Sequence, residues 1–342
     1  MNNYTKNVHK KRAYLKKERL NDLNKAPAAF SALGGALCFF IFILFLFNSG
    51  SVARLSSLGA SRVLYAVLPS TFPYLVLSSL ICKSSLPHLI GKALLPLSKI
   101  LKLPPSCLFI IVISFICGFP VPSLTANTLY ENGEISKEQC ERLTSFCSFC
   151  GPPFIFSVFG LRIMKDIRAG AVCFGVQCAL AIIFALITSH GAKGEFSHSP
   201  PAHIKKSTDL PVGTLICDCI SLAGSSMLKI TSFVIFFSVL CGIIQKVILI
   251  IFPSTDPLVL SILTGIIEMS GAVTSLGDFD FGLKTKFILG CIYIYWSGLS
   301  VLFQVRSTLD QEISMKKYLL GRFFMMILGG FISYFIYFFL LG

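Results

Sequence analysis

The stretch LTGIIEMSGAVTSLGDFD (263–280) sets one carboxylate, Glu268, among leucines and isoleucines, with no Lys or Arg within ten residues on either side. An ionisable group at the centre of an apolar run costs about 3 kcal/mol or more to place in a bilayer, so it marks a functional site by default. Its chemistry there is non-covalent: it holds a proton, meets a solute, or braces unwound backbone. Polar neighbours suited to solute contact are Ser270, Thr274 and Ser275 beside it, Ser297, Ser300 and Gln304 further on, and Ser123, Thr125, Asn127, Ser145 and Ser148 upstream. Each hydroxyl can also satisfy its own helix backbone. The candidate substrate-binding set is Gly118, Ser123, Thr125, Asn127, Ser148, Gly151, Glu268, Ser270, Gly298, Ser300 and Gln304. No catalytic residue, metal ligand or cofactor is expected. There is no HExxH, no GxSxG and no phosphate-cradling loop, and Cys147-x-x-Cys150 lacks the second ligand pair that zinc needs.

These residues share a setting. After Pro104-Pro105 the run SCLFIIVISFIC has twelve residues, ~18 Å as a helix, and GFPVP interrupts it before it could span. The chain resumes as SLTANTLYE, turns at Asn132-Gly133, restarts with a capping-box pair, Ser136 and Gln139, and breaks again at Gly151-Pro152-Pro153. The region of Glu268 repeats that order, ending on a break at Gly298. Gly118 to Gly151 and Gly265 to Gly298 are both 33 residues. At the same offset of 147, Ser123 matches Ser270, Leu129 matches Leu276, Lys137 matches Lys284 and Phe156 matches Phe303. The pattern predicts an internal repeat of broken or re-entrant helices. Backbone interrupted at membrane depth is tolerated only inside protein or against a water-filled cavity, the arrangement in which many carriers bind solutes.

Composition supplies the frame. Of 342 residues 54% are hydrophobic and 13% charged, with a mean hydropathy of +0.77, which predicts an all-α polytopic membrane protein. Apolar runs near the ~20 residues of a spanning helix occur at 30–47, 63–82, 169–189, 226–252 and 318–341. Four interrupted runs, 106–131, 137–161, 257–277 and 284–305, bring the number of hydrophobic segments to about nine, two pairs of them broken. The division expected is a basic tail (1–28), a first membrane helix and loop (29–62), a first repeat (63–161), a connecting helix and polar loop (162–225), a second repeat (226–309) and a C-terminal membrane helix (310–342).

The net charge of +14 is concentrated: eight Lys/Arg lie in the first 25 residues, as expected for a cytoplasmic tail against anionic lipid, not for nucleic-acid binding. The first helix reads as a retained anchor, and nine crossings would place the C-terminus outside. The stretch GAKGEFSHSPPAH, with His190, His198 and His203, reads as a loop. Lys229 and Arg306 read as snorkelling or pairing residues, Lys229 with Glu268 or Asp218.

The segment GFPVPSLTANTLYENGEISKEQCERLTSFCSFCGPPFIFSVFG, followed downstream by GIIEMSG and GLSVLFQV, resembles the sporulation integral membrane proteins of the YlbJ (SpoVV) type, which carry a nucleoside-recognition or Gate domain. The similarity runs from about Thr71 to Leu309. The resemblance implies two Gate-like repeats and a role in endospore formation: moving dipicolinic acid across the outer forespore membrane. Helix N-termini and hydroxyls, with a cation such as Lys229 or Arg306, would bind the carboxylates of this small dianion. A nucleoside-like cargo and a non-transporting scaffold or sensor are the alternatives, and an oligomer is compatible with either.

Overall fold

The computed structural model describes residues 28–84, 86–190 and 211–341, all helical or irregular, with no strand among them. The basic tail and the loop carrying His198 and His203 lie outside the described residues. The chain forms two compact units, 1–53 and 54–342. Described residues of the first are α1 (Ala28–Phe47), which carries no charge, and the start of α2 (Ser49–Arg62). Residues 49–62, expected as a loop, are thus helical, and a π turn (Val63–Val67) leads from them into α3 (Leu68–Cys82).

In the second unit, α4 (Leu86–Ala93) and α5 (Leu95–Leu101) precede the first broken region: α6 (Pro105–Cys117), α7 (Val121–Glu131), α8 (Lys137–Cys147) and α9 (Pro152–Phe154), which continues as a π-helix over Ile155–Met164. Helices α10 (Ile167–His190) and α11 (Val212–Ile251) follow. The second broken region comprises α12 (Pro257–Ile267), α13 (Met269–Ser275), α14 (Leu283–Trp296) and α15 (Gly298–Arg306), and α16 (Lys316–Ile336) closes the fold. Two regions thus present one order: short helix, break, shorter helix, turn, helix, break, helix.

Local sequence accounts for these boundaries. Ser136 and Gln139 exchange backbone and side-chain bonds at the start of α8 (2.8 and 3.2 Å), the expected capping box. The turn before it places Gly133 at φ +75° and returns the Glu134 N–H to the Leu129 carbonyl at 2.9 Å. Arg142 of α8 donates to the Leu101 carbonyl at 2.8 Å, a cation on the C-terminus of α5.

Among the described residues five helices are long and apolar enough to cross a membrane, Lys137–Met164, Ile167–His190, Val212–Ile251, Leu283–Arg306 and Lys316–Phe339, or up to seven if each of two bent pairs is one span. The chain is an all-α multi-pass membrane protein. Of the nine hydrophobic segments expected, those at 137–161 and 284–305 keep spanning length across their breaks, while those at 106–131 and 257–277 do not by themselves. The bend between α5 and α6 is 95°, and α12, with eleven residues, covers ~16 Å before it ends. Helix α11 has 40 residues, ~60 Å, and includes 212–225, which had been assigned to the polar loop.

Side chains such as Leu228, Phe236, Ile250 and Phe331 are exposed, the inside-out apolarity of a lipid-facing surface. The interior is tied by Tyr295 of α14, whose hydroxyl donates to the Cys173 carbonyl of α10 (3.1 Å) and meets Ser333 Oγ of α16 (3.2 Å).

Candidate functional site

The four breaks meet in two crossings. At the first, Gly118 has φ +67° and ψ −173°, a conformation open essentially to glycine alone. A Cβ there would stand 2.2 Å from the Gly151 N, and one on Gly151 would stand 2.5 Å from the Cys117 carbonyl oxygen. The two chains therefore cross with backbone against backbone. The groups freed by the breaks find partners across this contact: Phe119 N–H donates to the Phe149 carbonyl (2.9 Å), and Gln177 of α10 donates to the Cys150 carbonyl (2.8 Å).

At the second crossing, Ser297 and Gly298 both have left-handed φ, +71° and +76°. A Cβ on Gly298 would approach Met269 N to 3.0 Å and the Glu268 Cα to 3.4 Å. Trp296 Nε1 donates to the Ile266 carbonyl at 3.0 Å. Gly151 and Gly298, 147 residues apart, thus occupy equivalent places. Gly118 and Gly265 do not: Gly265 lies within α12 against the ring of Tyr293, and the third break falls at Glu268.

Glu268 is 2% exposed and extended (φ −141°, ψ 107°), the residue at which α12 stops and α13 starts. Its carboxylate accepts from Ser270 N–H (2.9 Å), Ser270 Oγ–H (2.7 Å) and the Gly271 N–H. The N-terminus of α13, expected to face an anionic solute, is occupied by the chain's own anion. Its cation is Arg62, 206 residues earlier. A Cβ built on Gly271 would be 2.6 Å from Glu268 Oε2 and 2.9 Å from Arg62 Nη1, so both charges converge on that glycine.

Between the crossings lies a cavity. Cys117, Phe119, Cys150 and Gly151 line it from the first crossing, Glu268, Met269 and Ser270 from the second, Val301 and Gln304 from α15, Val67 and Thr71 from the helical run around α3, and Ile230 and Val234 from α11. About 40 Å³ is open to water centres, room for roughly three waters at ~10–15 Å³ each. Gln304 is 3% exposed; its Nε2 reaches Ser300 Oγ at 3.3 Å and its Oε1 has no partner. Gln304 and Ile230 also wall a second space, about 20 Å³, shared with Lys229, Ser226, Ser307 and Thr308. Gln304 therefore separates the inner cavity from a compartment lined by an exposed lysine.

Of the eleven candidates, Gly151, Glu268, Ser270 and Gln304 line the cavity, Gly118 and Gly298 form its crossings, and Ser300 holds Gln304. Ser148 is buried beside the first crossing with a free Oγ. The rest bind their own surroundings. Ser123 donates to the Pro120 carbonyl and accepts from Thr308 (3.0 Å), and Thr125 donates to the Val121 carbonyl. Asn127 receives the Asp310 N–H at 2.7 Å and donates to Glu131. Two expected cation roles change. Asp218 pairs with Lys83 at 3.9 Å, not with Lys229, and Arg306 donates to the carbonyls of Asp310 and Ile313, which fold the 307–315 segment back on it. Arg62, at the end of the span expected as a first helix and loop (29–62), is not among the candidates; its position at the edge of the 63–82 run is the available signal.

No family model matches the chain, and no solved structure matches it. In sequence it is similar to the sporulation integral membrane protein YlbJ of Bacillus subtilis (strain 168), 24% identical over 297 residues, which cover 78% of this chain and 73% of that protein.

Proposed function

We propose that this chain is a carrier of a small organic anion during endospore formation, with dipicolinate as its cargo across the outer forespore membrane. Support for the setting comes from the similarity to a sporulation integral membrane protein. Support for carriage comes from one observation above the others: two crossings of broken helices enclose a single cavity with a buried carboxylate and an unpaired amide oxygen.

The chemistry follows from what each group has spare. Lys229 at the outer compartment attracts a dianion. Gln304 stands at the passage inward. At the α13 N-terminus, cargo carboxylate and Glu268 carboxylate compete for the same Ser270 and Gly271 N–H groups, so cargo binds there as Glu268 takes up a proton or swings aside. The cavity as described holds fewer atoms than a pyridine dicarboxylate, so loading requires one crossing to open. The same small volume favours the second reading, a scaffold or sensor that moves no solute.

The test is uptake of labelled dipicolinate into proteoliposomes containing the full chain, with nucleosides as the comparison cargo and Glu268→Gln and Gln304→Ala alongside. Saturable dipicolinate uptake that falls tenfold or more in both variants is expected. Uptake of nucleoside alone reassigns the cargo, and uptake of neither supports the scaffold.

A further inference from the structure

The Glu268 cavity does not account for the most deeply buried cation. Arg322, six residues into α16 and 1% exposed, gives one long hydrogen bond, from Nη2 to the Ser145 carbonyl at 3.3 Å. Its Nε and Nη1 have no partner, and with one bond from Nη2 four of the five N–H donors are unspent. No carboxylate lies within ion-pair distance of it among the described residues. The nearby acids of α8 are committed elsewhere: Glu138 and Glu141 pair with Lys317 at 3.7 and 3.5 Å, and Glu141 also accepts the Ser314 N–H. Arg142, the other buried guanidinium, is turned toward the α5 carbonyls.

The surroundings of Arg322 are short of partners in the same way. Tyr318 stacks under the guanidinium, 5.4 Å from ring centroid to Cζ, and its hydroxyl is unpaired. Ser148, three residues after the Ser145 whose carbonyl Arg322 meets, is fully buried with a free Oγ. Gln177, which holds the Cys150 carbonyl, has a free Oε1. Native structures leave few buried polar atoms unsatisfied, and a buried charge without a counter-charge is the costliest case. Here donors predominate: a guanidinium and two hydroxyls against one amide oxygen.

We propose that Arg322, Tyr318 and Ser148 form a buried binding site for one small anion, a halide or a single carboxylate group, behind the first crossing and separate from the Glu268 cavity. A water shared with the anion meets Gln177 Oε1. Because Ser148 lies in the break itself, the anion fixes the Ser148–Gly151 segment that the crossing rests on. The site stands whether or not the chain transports dipicolinate.

The test measures thermal unfolding of the purified full chain in nanodiscs, titrating chloride into a bulky morpholinoethanesulfonate buffer salt at constant ionic strength, then repeating with dipicolinate. Saturable stabilisation by at least one of the two is expected. Chloride alone identifies an inorganic ion; dipicolinate alone, or dipicolinate that displaces chloride, identifies a cargo carboxylate. Tyr318→Phe and Ser148→Ala, which keep the charge, should each weaken the apparent affinity about tenfold, the loss of one hydrogen bond to a charged ligand. Arg322→Met should fold, be at least as stable as wild type in the sulfonate salt, and lose the anion response. Absence of stabilisation by both anions, or a response unchanged in Tyr318→Phe and Arg322→Met, overturns the proposal.

Discussion

Replacing Glu268 by Gln and by Asp separates its two duties. In the structure three donors converge on the carboxylate, Ser270 N–H, Ser270 Oγ–H and Gly271 N–H. Glutamine keeps the shape but turns one oxygen into an NH₂ group that faces an N–H. One buried donor is then unsatisfied, at about 1–3 kcal/mol, and the attraction to Arg62 is lost with it. At about 2 °C per kcal/mol for a chain of this size, Glu268→Gln should lower the unfolding midpoint by about 2–6 °C. Aspartate is among the best N-cap residues and reaches the same N–H groups from one methylene closer to the backbone, so Glu268→Asp should stay within about 1 °C of wild type. Its carboxylate then stands further from the cavity. If Glu268 also takes part in cargo binding, Glu268→Asp will fold normally and lose uptake; if it only braces the break, uptake will survive. Thermal unfolding in nanodiscs and proteoliposome uptake read the two effects. A Gln variant as stable as wild type, beside a destabilised Asp variant, would refute the reasoning, because it would mean the carboxylate does not cap α13.

Gly118→Ala meets both a glycine-only conformation, worth about 1–3 kcal/mol, and a contact of 2.2 Å to Gly151 N; it should lose at least about 3 kcal/mol of stability. Gly175→Ala, whose Cβ meets nothing within 4 Å, should be neutral or stabilising by up to about 1 kcal/mol in the same melts. Arg62→Gln should destabilise the protein in the wild-type background and much less in Glu268→Gln, a coupling of about 0.5–3 kcal/mol in a double-mutant cycle; additive losses would separate the two charges. In Glu268→Gln, amide hydrogen exchange should accelerate in peptides covering Ser270 and Gly271 and stay unchanged around Phe119. Equal acceleration at both would show that the crossings open as one unit.

Much of the site was legible because its signals are local. Proline lacks a donor and glycine reaches positive φ, so GFPVP, GPP and the glycine at 298 announced their breaks. Ser136-x-x-Gln139 announced a helix start. Glu268 stood out because a carboxylate there breaks the pattern of its segment. What stayed hidden depends on the third dimension. The partner of Glu268 is 206 positions away, on a stretch, SGSVARLSSLGASR, too polar to read as a membrane helix. The third break came three residues after the glycine that the 147-residue offset matched to Gly118, because a capping carboxylate does there what a left-handed glycine does in the first region. Arg306 looked available, but its segment folds back to occupy it. The runs at 106–131 and 257–277 read as whole segments by composition, although a helix that ends in a break after thirteen or eleven residues covers only ~16–20 Å.

The two crossings share a close main-chain contact but differ in what stands beside it, and that difference bears on how a cavity between them could open. The first is held by main-chain contact at Gly118 and Gly151, by the Phe119-to-Phe149 hydrogen bond, and by Gln177 on the Cys150 carbonyl. None of those groups changes charge near neutral pH. The second is held by the main-chain approach of Gly298 to Met269 and by Trp296 Nε1 on the Ile266 carbonyl, and beside it Glu268 caps α13 and faces Arg62. Adding a proton to Glu268, or offering a competing carboxylate, weakens the α13 cap and its attraction to Arg62 beside the second crossing and leaves the first crossing untouched. A carrier that opened this cavity without unfolding would use such an asymmetry, with a titratable group beside one seam and none beside the other. The two seams are alike in their backbone contact, and the carboxylate at the third break adds to one of them a group whose charge a proton can change.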